Sequence, residues 1–437
     1  MISVLPFHAF RSLRNYNFRL FWGGQLISQT GTWMQSVGQA WLVLDLSHSP
    51  LALGTVTALQ TLPVLLFVLF AGVFVDRFPK RRLLLITQTT AMLQALLLAV
   101  LVSTGAVQLW HVYLLAFLLG AVNALDNPTR QSFVIEMVGR EDLVNAVALN
   151  SMLMNSARIV GPAVGGLLIA WVGVAGCFYL NAGSFLAVLA GLLLMKPHLL
   201  RTSPRKPSGH VLGQLAEGLG YAVRTPTVFL IVILMGALGT FGYNFNTTLP
   251  LLARDALNAD SAAFGALLSA MGVGSLIAAL VVATAKEATV QRLFWGAAAF
   301  TVAIAAIAIS RWYPVTLALM VPLGLASISF TTSANSRLQL TVPDALRGRV
   351  MSIYTLLFMG TTPIGGLFTG FLAEHLGIQW TLGIEASICG LGVAAGLLYY
   401  QRTRRAAPSS QPSSQPSSQS EALLIGPGEV ADRLRSS

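Results

Sequence analysis

Apolar residues in this chain come in long unbroken runs, not in the one-sided patterns of helices that face water. A bilayer core takes about 20 mostly apolar residues per helical crossing. Runs of that kind predict spans at 20–44, 50–75, 83–105, 110–126, 143–171 and 174–195. After a polar gap they predict six more, at 227–250, 264–285, 293–310, 313–335, 350–373 and 379–400. The chain therefore reads as an all-α integral membrane protein with twelve transmembrane helices in two six-helix bundles. The expected parts are an N-terminal bundle over 1–195, a cytoplasmic linker over 196–226, a C-terminal bundle over 227–405 and a tail over 406–437.

Lysine and arginine test this map independently, because they accumulate in loops on the cytoplasmic side. With the N-terminus inside, all but three of the 27 fall in inner segments or the tail, Arg254 and Arg311 being outside and Arg158 within a span. Both termini are thus expected in the cytoplasm, in a cell membrane. The first apolar run follows three arginines and is long enough to span, so it reads as a retained helix and not as a cleaved signal.

Composition sharpens the picture. Only 10% of residues are charged and 55% are hydrophobic, against about 25% charged in a soluble domain, so lipid must solvate most of the surface. The net charge of +11 sits between apolar runs and not along an aromatic-studded face, which excludes nucleic acid as a partner. Cys177 and Cys389 lie in separate apolar runs and read as small core residues. The six histidines, His8, His48, His111, His198, His210 and His375, fall in loops or at span ends, away from other ligands, so neither a metal nor a cofactor is expected. Without a phosphate-binding loop, ATP does not supply the energy.

Within the gap, Ser208–Arg224 places Val211, Leu215 and Leu219 at helical spacing beside Gln214 and Glu217, an amphipathic helix for the inner membrane surface. The stretch Pro408–Gln419, PSSQPSSQPSSQ, is too polar and repetitive to build a core. The halves echo each other: Pro162-Ala-Val-Gly165-Gly166-Leu167 in the fifth span matches Pro363-Ile-Gly365-Gly366-Leu367 in the eleventh. Two six-span halves in parallel repeat are a transporter architecture, with the substrate site near the midplane between them.

The loop after the second span reads Gly72-Val-Phe-Val-Asp76-Arg77-Phe-Pro-Lys80-Arg81-Arg82. A small residue, Asp-Arg and a basic cluster at this place resemble the signature loop of the major facilitator superfamily. The likeness extends over all twelve spans, although the corresponding loop of the second half, Lys286 to Arg292, lacks the motif. It implies that Gly72 lets the second span approach the eleventh, and that Asp76, with Arg77 and Arg81 beside it, latches the inner gate. A carboxylate near the start of span 11 would be favoured by the helix dipole. The basic residues also fix topology, which suffices to explain Lys80. A closer likeness is to the branch of enterobactin exporters and macrolide-efflux proteins. It rests on Asn17-Phe18-Arg19-Leu20-Phe21, Trp41-Leu-Val-Leu44, Ser49-Pro50-Leu51-Ala-Leu-Gly54, Arg158-Ile-Val-Gly161-Pro162 and Glu217-Gly218-Leu219.

On the first span Gln25, Gln29, Thr32, Ser36 and Gln39 fall within an arc of about 80°. Gly24, Gly31 and Gly38 form a neighbouring stripe suited to close helix packing. The polar stripe either hydrogen-bonds adjacent helices or lines a watery cavity, and the cavity is the preferred reading. Span 7 offers Tyr243, Asn244, Asn246, Thr247 and Thr248 near its end, for a cavity or for interfacial anchoring. Ionisable groups within spans are functional candidates by default. Arg158 precedes Gly161-Pro162 by one turn and suits either a coupling role or pairing with carbonyls freed by Pro162. Asp126 ends span 4 and pairs with Arg130 or the basic loop, whereas Asp45 ends span 1. Glu385, two turns into span 12, is the best proton-site candidate.

These features predict a monomeric, proton-driven exporter of lipophilic or amphipathic small molecules, working by alternating access. Export and proton coupling come from the family likeness. The rivals are a carrier of lysophospholipids or other amphiphiles and a non-transporting membrane sensor. A polytopic enzyme would need a polar catalytic cluster, and none is evident.

Overall fold

The computed structural model describes residues 10–201, 211–283 and 289–406; side chains at 68–73, 76, 211–216, 283, 344–345, 404 and 406 are also outside the description. The described residues up to 400 form one compact unit. Among the described residues every regular element is helical, as the bilayer requires, because a helix satisfies its backbone groups internally.

In the first half α1 (Tyr16–Ser47), α2 (Pro50–Arg77), α3 (Lys80–Ser103), α4 (Leu109–Val138), α5 (Leu143–Val172) and α6 (Val174–Leu194) are the six spans. The linker helix α7 (Val211–Arg224) follows. The seventh span is broken into α8 (Pro226–Phe241), α9 (Phe245–Leu251) and a π turn, Leu252–Ala256. Then come α10 (Ser261–Ala283), α11 (Val290–Ile309) and α12 (Tyr313–Thr341). The eleventh span consists of α13 (Asp344–Thr355), a π turn Leu356–Gly360 and α14 (Thr362–Leu376), and α15 (Ile378–Ala406) is the twelfth. Eleven of these spans are both long and apolar enough to cross a membrane among the described residues. The other, α1, has 32 residues and carries the polar stripe.

Several boundaries differ from expectation, three of them at polar or charged groups. Span 4 does not end at Asp126 but runs on to Val138; its acid is compensated by Arg130 one turn later, so the helix has no reason to stop. The polar group 243–248 is not at the end of span 7. The apolar segment continues to Ala256, and the group sits at a break in its middle. Span 10 continues past residue 335 to Thr341.

Glycines carry the packing. A Cβ on Gly24 would lie 2.7 Å from the Val188 backbone and one on Gly31 2.5 Å from the Asn181 side chain, so the glycine stripe of α1 seats α6. In the second half, a Cβ on Gly274 would stand 1.9 Å from the Val321 carbonyl and one on Gly324 1.9 Å from that of Met271, a reciprocal contact of α10 with α12. Single glycines with left-handed φ close the turns between spans 5 and 6 (Gly173, φ 79°) and between spans 11 and 12 (Gly377, φ 82°), corresponding positions of the two halves. Cys177 and Cys389 are buried free thiols. At the linker, Glu217 pairs with Arg349 at the start of span 11, while Leu219 and Val223 stay exposed; the earlier positions of the predicted amphipathic helix lie outside the described side chains.

Gly324→Ala should destabilise the protein by about 1–3 kcal/mol through overpacking, whereas Gly383→Ala, with open space around it, should leave stability unchanged. Thermal unfolding of the purified variants in one detergent checks the contrast.

Candidate transport site and gates

Two buried polar centres occupy the first half. Asp126, 1% exposed, accepts hydrogen bonds from Thr87 Oγ1 at 2.8 Å and Gln88 Nε2 at 2.8 Å. It also forms an ion pair with Arg130. Arg130 in turn donates to Gln25 Oε1 at 3.0 Å, and Gln29 Nε2 donates to the same oxygen at 3.3 Å. One turn of α4 thus binds α1 and α3. In the second centre Asn181 donates to Gln35 Oε1 at 2.6 Å, and Gln35 donates to Gln94 Oε1 at 3.1 Å, which joins α6, α1 and α3. A carboxylate so surrounded is stable in a low-dielectric interior because three donors, one of them a cation, meet its two oxygens.

The structure therefore divides the polar stripe of α1. Gln25 and Gln29 enter the Asp126 network, and Gln39 is buried. Thr32 and Ser36 bond back to the carbonyls of Ser28 and Thr32 at 3.0 and 3.1 Å and stay half-buried. Sequence reasoning missed Thr87, Gln88, Gln94 and Asn181. Amides recurring in the otherwise apolar runs of spans 3 and 6 were the available signal.

In the second half Glu385 is 1% exposed and accepts a hydrogen bond from Thr369 Oγ1 of α14. It borders a cavity of about 10 Å³ beside the break in span 7, shared with Gly242 and Thr248, room for about one water. Asn244 at the break is buried and donates to the Thr240 carbonyl at 2.8 Å. Gly365 packs directly on Thr240 and Asn244. Tyr243 donates to the Ser327 carbonyl at 2.9 Å and stacks on Phe300 with centroids 4.7 Å apart. The π turn of span 11 lies alongside, Leu357 O being 2.9 Å from a Cβ built on Gly239. Two interrupted helices side by side are where transporters commonly place ligands.

The halves meet along two seams, α2 with α14 and α5 with α10. At the first, a Cβ on Gly54 would come within 2.4 Å of the Gly366 carbonyl, and one on Gly370 within 2.8 Å of that of Pro50. At the second, a Cβ on Gly265 would lie 2.3 Å from the Pro162 carbonyl, and one on Gly166 2.4 Å from that of Ser261. Gly161 and Gly165 of α5 turn instead to Trp33 and Met34 of α1. The repeated Gly-Gly motif thus supplies a close approach between halves in each copy.

Both seams are tightest toward the face opposite the basic loops. There Glu374, at the end of α14, accepts from Ser49 Oγ at 2.8 Å and from the Leu51 backbone N–H at 3.1 Å, so a carboxylate of the second half caps the first turn of α2. Arg254 bridges to Asp45 at 3.0 Å and to His48 Nδ1 at 3.1 Å. Thr247 bonds Thr57 across the halves at 3.1 Å. On the basic face Arg81 donates to the carbonyls of Leu192 and Leu193 at 2.7 and 3.1 Å, capping α6 within its own half. Lys80 pairs with Glu136, and Arg77 is exposed. Gly72 and Asp76 belong to α2, but their side chains lie outside the described ones. Arg158, midway along α5, rests over the Trp33 ring at 5.4 Å; among the described residues it makes no hydrogen bond to a carbonyl near Pro162.

Residues 7–425 match the family described as transmembrane secretion effector. The chain is 26% identical over 377 residues to the staphyloferrin A transporter of Staphylococcus aureus, covering 85% of this chain and 94% of that protein. It is 28% identical over 384 residues to the multidrug efflux pump Tap of Mycolicibacterium fortuitum, with coverages of 85% and 93%. The enterobactin exporter EntS of Escherichia coli O1:K1 / APEC is 26% identical over 385 residues, with coverages of 86% and 89%. Among solved structures, a bacterial homologue of the human lysosomal transporter Spinster superposes with a TM-score of 0.70 at 13% identity, covering 92% of this chain and 99% of that one.

Asp126→Asn should cost about 3–5 kcal/mol, the scale for stripping one partner from a buried pair. The double variant Asp126→Asn/Arg130→Gln should regain much of that loss. A double-mutant cycle by thermal unfolding measures the coupling. Glu374→Gln removes an exposed helix-capping charge worth about 0.3–1 kcal/mol; it should leave stability intact and shift the closed-to-open ratio of that face by up to about fivefold. Thiol labelling of cysteines placed behind the seam reads that shift.

Proposed function

The chain belongs to the transmembrane secretion effectors of the major facilitator superfamily and is a membrane transporter, and from that premise we propose a proton-coupled exporter of lipophilic or amphipathic small molecules. The observation that carries this reading is the pair of glycine seams between halves, capped on one face by Glu374. A seam made of backbone proximity and one exposed carboxylate holds the halves together without a large locked interface, so it opens at modest cost. The export direction follows the efflux and exporter functions of the relatives. The basic face is assigned to the cytoplasm of a cell carrying the protein in its plasma membrane, by the excess of arginine and lysine there. The described state is then closed to the outside.

In this mechanism the latch alternates between the ends of the same helix pair. Glu374 caps α2 when the outer side is shut, and Asp76 caps the start of span 11 when the inner side is shut, with Gly72 allowing the approach. Glu385 carries the coupling proton, because it lies buried beside the broken span 7 with only the neutral partners Thr369 and Asn244 described. Asp126 and Arg130 form the fixed strut of the first bundle, and Asn244, Thr32 and Ser36 border the path. A single chain holds all of these parts, so a monomer suffices.

Glu385→Gln keeps shape and hydrogen bonding but removes the proton site. In proteoliposomes with an imposed pH gradient it should abolish gradient-driven efflux of a fluorescent amphipathic dye while leaving equilibrium dye binding within a factor of about two. Wild-type dye movement that ignores the gradient would remove proton coupling from the account.

A further inference from the structure

The two acids deepest in the described spans already have partners: Asp126 has Arg130, Thr87 and Gln88, and Glu385 has Thr369 and Asn244. Arg158 differs. It lies in the middle of α5, whose ends are Leu143 and Val172, and its Nε is buried without a hydrogen-bond partner. Its one described contact of charge is with the Trp33 ring, and no carboxylate pairs with it among the described residues. An uncompensated cation at membrane depth is costly, and such residues mark ligand paths.

Its surroundings hold it at the meeting of the halves. Gly161, nearly one turn further along α5, presses on Trp33 Cβ and fixes the indole beneath the guanidinium. The carbonyl of the next residue, Ile159, accepts from Ser269 Oγ of α10 at 2.7 Å, and a Cβ on Gly272 would lie 2.8 Å from Ile159. Asn155 and Ser151 extend a polar line from Arg158 along the same side of α5 toward the basic face. A guanidinium lying on an aromatic face keeps its edge N–H groups free, and that edge matches a planar oxyanion with two parallel hydrogen bonds.

We infer that Arg158 is the anion-binding point of the transport path, and that the cargo is an amphiphile bearing a carboxylate or similar oxyanion. This rests on the export reading and narrows its substrate class: a purely cationic amphiphile meets an uncompensated positive charge at the midplane, whereas an anionic one supplies the missing acceptor. Trp33 supplies the apolar wall next to it.

The test compares rhodamine B, a free carboxylate, with its ethyl ester, which lacks that charge and keeps the aromatic body. Full-length protein in nanodiscs of zwitterionic phosphatidylcholine is titrated with each dye, followed by dye anisotropy and tryptophan emission. The acid should bind roughly tenfold tighter than the ester, the scale of one charge-assisted hydrogen-bonded contact. Arg158→Gln should erase the preference without weakening ester binding, and Arg158→Lys should keep part of it. Equal affinity for acid and ester in the wild type overturns the site, with no dependence on how any variant folds. A preference that survives in Arg158→Gln also overturns it, leaving Arg158 a packing residue on Trp33. Adding phosphatidylglycerol separates the sources of oxyanion: undiminished acid binding supports a solute site, and its loss to the lipid overturns the cargo assignment. Because binding is read at equilibrium, its failure leaves the export proposal standing. A failure of gradient-driven efflux likewise leaves the binding result standing.

Discussion

Helices in lipid gain nothing from hiding apolar side chains, since the solvent is as apolar as they are; they associate by close packing and by polar bonds. Everything here depends on that constraint. Where the halves meet, side chains are removed instead of interdigitated, and Gly54, Gly366, Gly166 and Gly265 bring backbone against backbone. Such contact is intimate yet carries little that must be broken when it separates. Within a half the opposite choice is made: α1, α3, α4 and α6 are tied by buried amide and carboxylate bonds around Asp126 and Gln35. Rigid halves and a parting seam follow from the same solvent.

Charge is distributed on the same logic. Asp126 meets three donors, one of them the cation Arg130, and ties α3 to α4. Glu385 is held by a hydroxyl and an amide and Arg158 by an aromatic face, and the proposed cycle gives each a mobile partner, a proton in one case and an oxyanion in the other. In the proposed cycle the surface ions gate, because exposed pairs are weak and a weak latch is one that opens.

Much of the fold was legible because its signals are local. Apolar run length located the spans, and lysine and arginine gave their alternation. What the sequence hid was pairing. The charges of Asp126 and Arg130 resembled a helix end, yet four residues apart on one helix they cancel and the span continues. The break at Gly242–Asn244 is invisible to hydropathy, because the segment stays apolar through Ala256. Glu374 belongs to none of the motifs read from the sequence. Its partner Ser49 is 325 residues away, although the Ser49-Pro50 helix start was a readable sign of a terminus seeking a cap. Among the site residues, the α1 stripe showed its polarity but not its destination, since periodicity alone cannot distinguish a cavity from a neighbouring amide.

Alternating access here requires the halves to pivot about the glycine seams, so that one face closes as the other opens. Spin-label distances test this directly, with one pair across the outer face at Trp171 and Trp312 and another across the basic face at Val144 and Leu280, all exposed positions. As rhodamine B is added and the pH lowered, the outer distance should lengthen in the same fraction of molecules in which the basic-face distance shortens. Distances that stay fixed, or that lengthen together on both faces, would contradict alternating access in this protein.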